Sequence, residues 1–290
     1  MNTISVPASK MPVRQKFAIV TGCGQGGIGE ALALEYARLG IFPIATVLPS
    51  EGSEHLTTSG ITWFPLDVTK DDSISAFKKQ VTAVTGGFLD ILVNNAGIAY
   101  TMTATDTDVR AVQEMFDVNV FGPMRMVHYF HDMIFTSKGI VVNIGSVGGI
   151  VPYVYGSSYN ASKAALHHWS NTLRVEMAPL GVRVLTIISG EIGTNILKRD
   201  RHRELPEYSL FAPLRESFKS HVTRTPNTTD RMEYAKNVCV QSLNNNPPIW
   251  YWFGKTTWTV RFLDTVGWRG VWDYVFWHMF DLGKLRDVFL

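Results

Sequence analysis

A chain of 290 residues is long enough for one large α/β domain, or two small ones, with a sizeable core. Its formal net charge of +2 and 18% charged residues exclude a general role in binding nucleic acid or other polyanions. Two cysteines, Cys23 and Cys239, give no disulfide framework and fit a reducing compartment. No stretch reaches the ~18 apolar residues of a membrane span. Met1 to Lys16 lacks the apolar core of a signal peptide, so residues 1–15 read as a flexible arm and the expected location is cytoplasmic. Sequons at Asn160 and Asn227 carry no meaning without secretion.

The first strand signal is Phe17-Ala18-Ile19-Val20, followed at once by Thr21-Gly22-Cys23-Gly24-Gln25-Gly26-Gly27-Ile28-Gly29. A helix from about Glu30 to Leu39 ends at Gly40. Strand, glycine loop and helix in that order point to dinucleotide binding, with the pyrophosphate on helix N-terminal amides. Phe42 to Leu48 is a second strand. At its end an acid would read a ribose diol and a basic residue a 2′-phosphate. Leu48-Pro49-Ser50-Glu51 offers neither cleanly, and Glu51 reads as an acid or as solvated loop. Thr62 to Leu66 makes a third strand. After it, Asp67-Val68 offers an acceptor for an adenine amino group or an N-cap for the helix starting near Asp71. Ile91-Leu92-Val93 is a fourth strand, and its turn Asn94-Asn95-Ala96-Gly97 suits close passage of the backbone past a ligand. Strand and helix in alternation predict a doubly wound parallel sheet, a Rossmann-type α/β fold.

A long helix spans about Asp108 to Met133 and carries Asn119. His128 and His131 on it, and His167-His168 further on, have no acidic or cysteine partners and read as helix surface or interface residues, so no metal site is expected. Gly139 to Ile144 is a buried strand, which puts Ser146 just past its carboxyl end, where open α/β sheets bind ligands. Tyr159 and Lys163 are four apart at the start of a helix over about 158–178, on one face and a turn apart. An ammonium beside a phenol favours the phenolate and lowers a pKa that starts near ~10. A tyrosine so tuned exchanges a proton with an alcohol or ketone oxygen, with the serine hydroxyl as second partner.

Thr21-Gly22 with Gly27-Ile28-Gly29, Asp67-Val68, Asn94-Asn95-Ala96-Gly97, Asn119, Ser146, and Tyr159 with Lys163 resemble the short-chain dehydrogenase/reductase family from about residue 15 to 195. The resemblance implies a catalytic set of Asn119, Ser146, Tyr159 and Lys163. In it Asn119 holds a water that links Lys163 to solvent, and Lys163 also holds ribose hydroxyls. It implies cofactor contacts from Gly22, Gln25, Gly27, Ile28, Gly29, Ser50, Asp67, Val68, Asn95, Ala96, Gly97, Tyr159, Lys163, Ile192 and Thr194. Val182 to Ile188 is a sixth strand; Ser189 stands after it where the family usually has proline, while Gly190, Ile192 and Thr194 fit. The family also implies that residues 195–230 close over the substrate and that the long helices pair between subunits as a homodimer or homotetramer. Within that segment, Lys198, Arg199, Arg201 and Arg203 read as an attractor for an anionic substrate or as a solvated face.

The end of the chain differs in character. Asn244-Asn245-Asn246-Pro247-Pro248 breaks a helix before a last strand, Ile249 to Phe253. Six of the eight tryptophans lie between Trp250 and Trp277: Trp250, Trp252, Trp258, Trp268, Trp272 and Trp277. Val271 to Phe280 is apolar on nearly all sides of a helix and needs a cover. The Asn-Pro-Pro run, with Phe280-Asp281-Leu282-Gly283-Lys284-Leu285, resembles the acyldihydroxyacetone-phosphate reductase-like branch of the family. That branch is best known from fungi, uses NADPH, and includes reductases of lipid precursors and secondary metabolites; the arginine expected near Leu48 is absent.

The expected organisation is one oxidoreductase domain over residues 16–254 with an aromatic-rich extension over 255–290. The expected function is reduction of a hydrophobic ketone to a secondary alcohol, or the reverse, with a modest preference for NADP(H) over NAD(H). The alternatives are a cyclase or isomerase on the same fold, or a non-catalytic protein that binds partners through the tail. Lys255, Arg261, Arg269, Lys284 and Arg286 nearly cancel Asp264, Asp273, Asp281 and Asp287, so the tail is expected to form pocket and subunit packing. Peripheral contact with an internal membrane is the second reading.

Overall fold

Short β-branched runs, buried on both faces, build the middle of the sheet that positions everything else, and half-buried aromatic runs form its two edges. The structure is a computed structural model that describes residues 14–196, 200–268 and 270–289. Strands Phe17–Val20 (β1), Phe42–Val47 (β2), Thr62–Pro65 (β3), Ile91–Asn94 (β4), Ile140–Ile144 (β5), Arg183–Ser189 (β6) and Trp250–Phe253 (β7) run parallel in the order β3-β2-β1-β4-β5-β6-β7. Each lies within a residue of where the hydrophobic pattern put it. The order reverses between β1 and β4, which opens a crevice at the strands' carboxyl ends.

Helices cover both faces. Ile28–Arg38 (α1) packs on Arg231–Leu243 (α8) on one face, with Leu32, Tyr36, Tyr234 and Val238 fully buried between them and the sheet. On the other face, Asp71–Thr85 (α3) and Gly122–Ser137 (α5) bury Ile74, Phe77, Met126 and Phe130. Glu54–Thr58 (α2) is a single short turn after β2. The lysine before α3, Lys70, is its N-cap, so Asp67 does not cap that helix.

The long helix expected over 108–133 is interrupted. Val109–Phe116 (α4) passes into a π-helical turn, Asp117–Phe121, before α5 begins. Such single π turns gather at functional sites, and this one buries Asn119. Ser157–Met177 (α6) follows β5 and keeps its expected span.

Arg215–Thr223 (α7), Thr257–Val266 (α9), Val271–Met279 (α10) and Gly283–Phe289 (α11) complete the chain. Val260, Val271, Trp272, Phe276 and Phe280 are buried in a third core with Tyr100, Met102, Val151, Tyr155, Leu205 and Phe218. Residues of the aromatic-rich extension thus share a core with the loops after β4 and β5 and with the 200–223 segment. Its outer side is different: Trp258, Phe262, Trp268 and Tyr274 are exposed. Among the described residues, no helix is long and apolar enough to cross a membrane. Lys198, Arg199, Arg269 and residues 1–13 of the expected arm lie outside the described residues. Arg14, within that arm, is tied to Asp90 at 2.5 Å.

Candidate active site

The glycine loop and the turn after β4 are knitted into one floor. Thr21 Oγ1 accepts the amides of Asn95 and Ala96 at 3.0 Å each, and Asn95 Nδ2 donates to the carbonyls of Thr21 at 2.8 Å and Gly22 at 3.0 Å. Gly22 has φ +69°, and a Cβ there would sit 2.8 Å from Ala96 Cα. Gly29 is buried against the Gly22 carbonyl, so it serves this close approach and does not line the cavity. The N-cap of α1 is Gly27, with no side-chain cap from the described residues, which leaves first-turn amides for a ligand.

A cavity of about 600 Å³ begins at this loop and runs to Ser146 and Tyr159. Of the residues expected at a cofactor, Gly22, Gln25, Gly27, Ile28, Asp67, Val68, Asn95, Ala96, Gly97, Tyr159, Lys163, Ile192 and Thr194 line it. The walls therefore fit a dinucleotide: glycines where a Cβ would intrude, amides of a helix N-terminus, and a crevice at the switch point. Asp67 Oδ1 accepts from Thr69 N at 2.9 Å and Thr69 Oγ1 at 2.7 Å, an Asx turn that aims the loop after β3.

Ser50 is a correction. A turn closed by Glu51 N donating to the Leu48 carbonyl at 2.9 Å leaves Ser50 exposed and outside the cavity. It brings Glu51 in instead: a Cβ on Gly24 would lie 3.4 Å from Glu51 Oε2. Glu54 and His55 line the same end, with His55 Nε2 2.9 Å from the Cys23 carbonyl. Sequence reasoning missed His55 and also Asn195, which lines the cavity and donates through Nδ2 to the Gln25 carbonyl at 3.1 Å.

At the other end the four expected catalytic residues converge. Lys163 is buried and donates to the Ile144 carbonyl at 3.0 Å, with Nζ 5.8 Å from the centre of the Tyr159 ring. Burial pulls its pKa down to about 8. Asn119 Nδ2 donates to the Ile98 carbonyl at 2.9 Å and to Ser162 Oγ at 3.1 Å, while its Oδ1 accepts from Ile98 N at 2.9 Å. A Cβ on Gly97 would meet Asn119 Oδ1 at 3.3 Å and Lys163 Nζ at 3.7 Å, so both groups crowd one point. Ser146 Oγ accepts the amide of Gly148 at 3.0 Å and thereby caps the short turn Val147–Gly149.

The expected lowering of the Tyr159 pKa is not what this geometry gives. Burial raises it, and the hydrogen bond from Ser146 pulls it back only in part. The ammonium is spent on the Ile144 carbonyl and stands off the ring, so its pull on the phenol is outweighed. His167 is a second correction. It is buried, not a surface residue, and its Nε2 accepts the Ser146 amide at 3.2 Å. The basic run also changes character: Arg203 is tied to Asp200 at 2.6 Å and stacks 4.1 Å over Tyr100. Asp200, buried, accepts from Thr101 N at 2.8 Å and fastens the 200–223 segment to the loop after β4.

Fold and site together define an oxidoreductase that works with a nicotinamide cofactor. The family model "short chain dehydrogenase" matches residues 16–205. The chain is 65% identical over 276 residues to the short-chain dehydrogenase virD of Hypocrea virens, spanning 95% of this chain and 96% of that one. It is 39% identical over 206 residues to the NADPH-dependent 1-acyldihydroxyacetone phosphate reductase of Schizosaccharomyces pombe, covering 70% of each. A crystal structure of a short-chain dehydrogenase from Streptomyces avermitilis superposes with TM-score 0.73 at 26% identity, over 94% of this chain and 100% of that one. The chain belongs to the short-chain dehydrogenase/reductase family.

Proposed function

We propose that the protein reduces a hydrophobic ketone to a secondary alcohol, or runs the reverse oxidation. The observation that carries this is the meeting of Ser146, Tyr159 and Lys163 in the lining of the same cavity that the glycine loop opens. Tyr159, Ile98, Val147, Ile150, Tyr153 and Trp252 are partly buried and pack against the third core, apolar surface suited to such a substrate. Tyr159 donates a proton to the carbonyl oxygen, and Ser146 donates a second hydrogen bond as charge builds there. A bound nicotinamide supplies or accepts the hydride. Gly22, Gly27, Ile28, Asn95 and Ala96 would hold the dinucleotide along the floor. Lys163 would hold ribose hydroxyls and keep positive charge near the phenol. Asn119, its amide already engaged by Ile98 and Ser162, completes the proton relay from within the π turn. The test is titration with NADPH and NADH followed by nicotinamide fluorescence, then turnover on a panel of hydrophobic ketones. Binding of neither cofactor would overturn the reading.

The preference for NADP(H) is supported by the printed name of the fission-yeast relative. The discrimination is small, because the carboxylate of Glu51 stands at the β2 end of the cavity, where a 2′-phosphate would approach. A like charge at ~4 Å in water costs about 1 kcal/mol. Glu51→Gln is therefore expected to shift the NADPH-to-NADH ratio of dissociation constants roughly fivefold toward NADPH. An unchanged ratio would show that Glu51 is not near the ribose.

The protein forms homo-oligomers through α4 to α6 in this reading. Val109, Phe135 and Val175 on these helices and Phe121 in the π turn between α4 and α5 stand exposed, apolar side chains that a neighbouring copy would cover. Light scattering at micromolar concentration checks it, and a monomer would refute it.

A further inference from the structure

One buried titratable side chain has no part in the reaction described above. His167 lies on the inner face of α6, one turn beyond Lys163, and is 3% exposed. That face is a polar stripe set against the sheet. Ser162 meets Asn119, Lys163 meets the Ile144 carbonyl, and Ser170 Oγ accepts from Asn143 Nδ2 at 2.8 Å. Asn143 in turn accepts from Asn94 Nδ2 at 2.8 Å, so the stripe reads the ends of β4 and β5 residue by residue. His167 supplies the contact that the stripe makes to Ser146 itself.

The two chain segments are shaped around the ring. A Cβ on Gly145 would lie 2.3 Å from His167 Nε2, and one on Gly149 would lie 2.5 Å from Cε1. Glycine at both positions is what lets the imidazole reach the backbone between them. The Ser146 amide can only donate, so Nε2 carries the lone pair and Nδ1 the hydrogen. Nδ1 has no partner among the described residues. A buried donor left without a partner is destabilising, so the ring is not explained by packing alone.

We propose that His167 is a positioning residue: as a neutral acceptor it fixes the Ser146 backbone so that the serine hydroxyl faces Tyr159. Burial and the neighbouring Lys163 hold its pKa down at about 3, which keeps the acceptor intact throughout the working range. The same contact explains why a short cap, Ser146 Oγ to Gly148 N, persists at the mouth of the cavity. With the backbone held from behind, that cap leaves the hydroxyl hydrogen to point outward. The inference rests on the proposed roles of Ser146 and Tyr159.

Glutamine and methionine have nearly the same shape, but only glutamine offers an acceptor. His167→Gln and His167→Met are therefore compared with wild type for turnover of benzylacetone with NADPH, for NADPH affinity by fluorescence, and for hydrogen exchange in a peptide spanning residues 145–149. The methionine variant is expected to lose kcat by roughly tenfold to a hundredfold, the effect of a slightly misplaced catalytic group. Its NADPH affinity should stay at wild-type level and its 145–149 exchange should quicken, while glutamine restores both exchange and kcat. In a Ser146→Ala background the methionine substitution should cost nothing further, since His167 acts through that residue. Equal losses in the two variants, unchanged exchange in both, or a methionine variant that alone fails to fold would overturn the proposal. Retained turnover in Ser146→Ala and Tyr159→Phe would instead overturn the catalytic reading on which it rests. If benzylacetone is not turned over, the exchange comparison decides.

Discussion

Tyr159→Phe is expected to cut turnover by roughly a hundredfold to ten-thousandfold, the usual worth of a positioned general acid. Only the phenolic oxygen is lost, and the ring keeps its contacts with the third core. Cofactor affinity should therefore hold, so the loss falls on kcat rather than on binding. The direction of the Tyr159 shift adds a pH signature. Burial holds the phenol protonated at neutral pH, which is the form that donates in reduction. Oxidation needs the phenolate and should rise toward alkaline pH over the range in which reduction falls. Lys163 imposes a second limit. Its ammonium titrates at about 8, so NADPH affinity should weaken above that pH as the charge facing the ribose disappears. The stability effect runs the other way: a lysine pKa below its unfolded value means the unfolded chain binds more protons between the two, so this group's contribution rises with pH there. Tyr159→Phe turning over near wild-type rate would remove Tyr159 from the mechanism, whatever the pH profiles show.

The sheet was legible because its central strands are short, doubly buried runs rich in β-branched residues, as in Ile140–Ile144, and the edge strands are short aromatic-rich runs bounded by turn residues. The order of motifs around the switch point was legible for the same reason: the chain visits it in a fixed sequence of strand ends. What could not be read was which side of a short turn each residue takes. Ser50 and Glu51 are neighbours with opposite fates, decided by one hydrogen bond from Glu51 N to the Leu48 carbonyl. His167 was misread because its periodicity is that of any helix, and its burial depends on glycines at 145 and 149, eighteen and more residues away. The π turn holding Asn119 has no composition signal of its own. The Tyr159–Lys163 spacing placed both side chains on one face correctly, yet it could not show that the ammonium is held by the Ile144 carbonyl. Spacing sets proximity; burial sets the pKa.

Removing residues from 255 onward is expected to cost solubility and activity together, without any lipid present. The argument starts from what the tail covers. Phe280 lies edge-on to Tyr153 at 5.3 Å and to Tyr155 at 5.4 Å, and Phe276 meets Tyr153 at 5.4 Å. Tyr155 has φ +65°, an unfavourable conformation for a bulky residue, and its carbonyl accepts from Met102 N at 2.8 Å. The segment so held, 151–156, leads directly into the helix that begins at Ser157 and carries Tyr159. Fully burying a large apolar side chain contributes about 1.5–3 kcal/mol. Losing Val260, Val271, Trp272, Phe276 and Phe280 at once therefore removes an amount comparable to the ~5–15 kcal/mol stability of a whole protein. Phe280→Ala alone should cost about 3–5 kcal/mol, measurable as a lowered Tm, and should loosen Tyr159 before it unfolds the chain. The outer face answers a separate question. Trp258 and Phe262 stack at 5.4 Å but stand exposed, so Trp258→Ser with Phe262→Ser should leave Tm and turnover near wild type. If the tail is chiefly pocket and core, a chain cut before residue 255 cannot stay folded and active. A truncated protein that does so, yet no longer sediments with vesicles as the full chain would, would make the aromatic extension a membrane anchor instead.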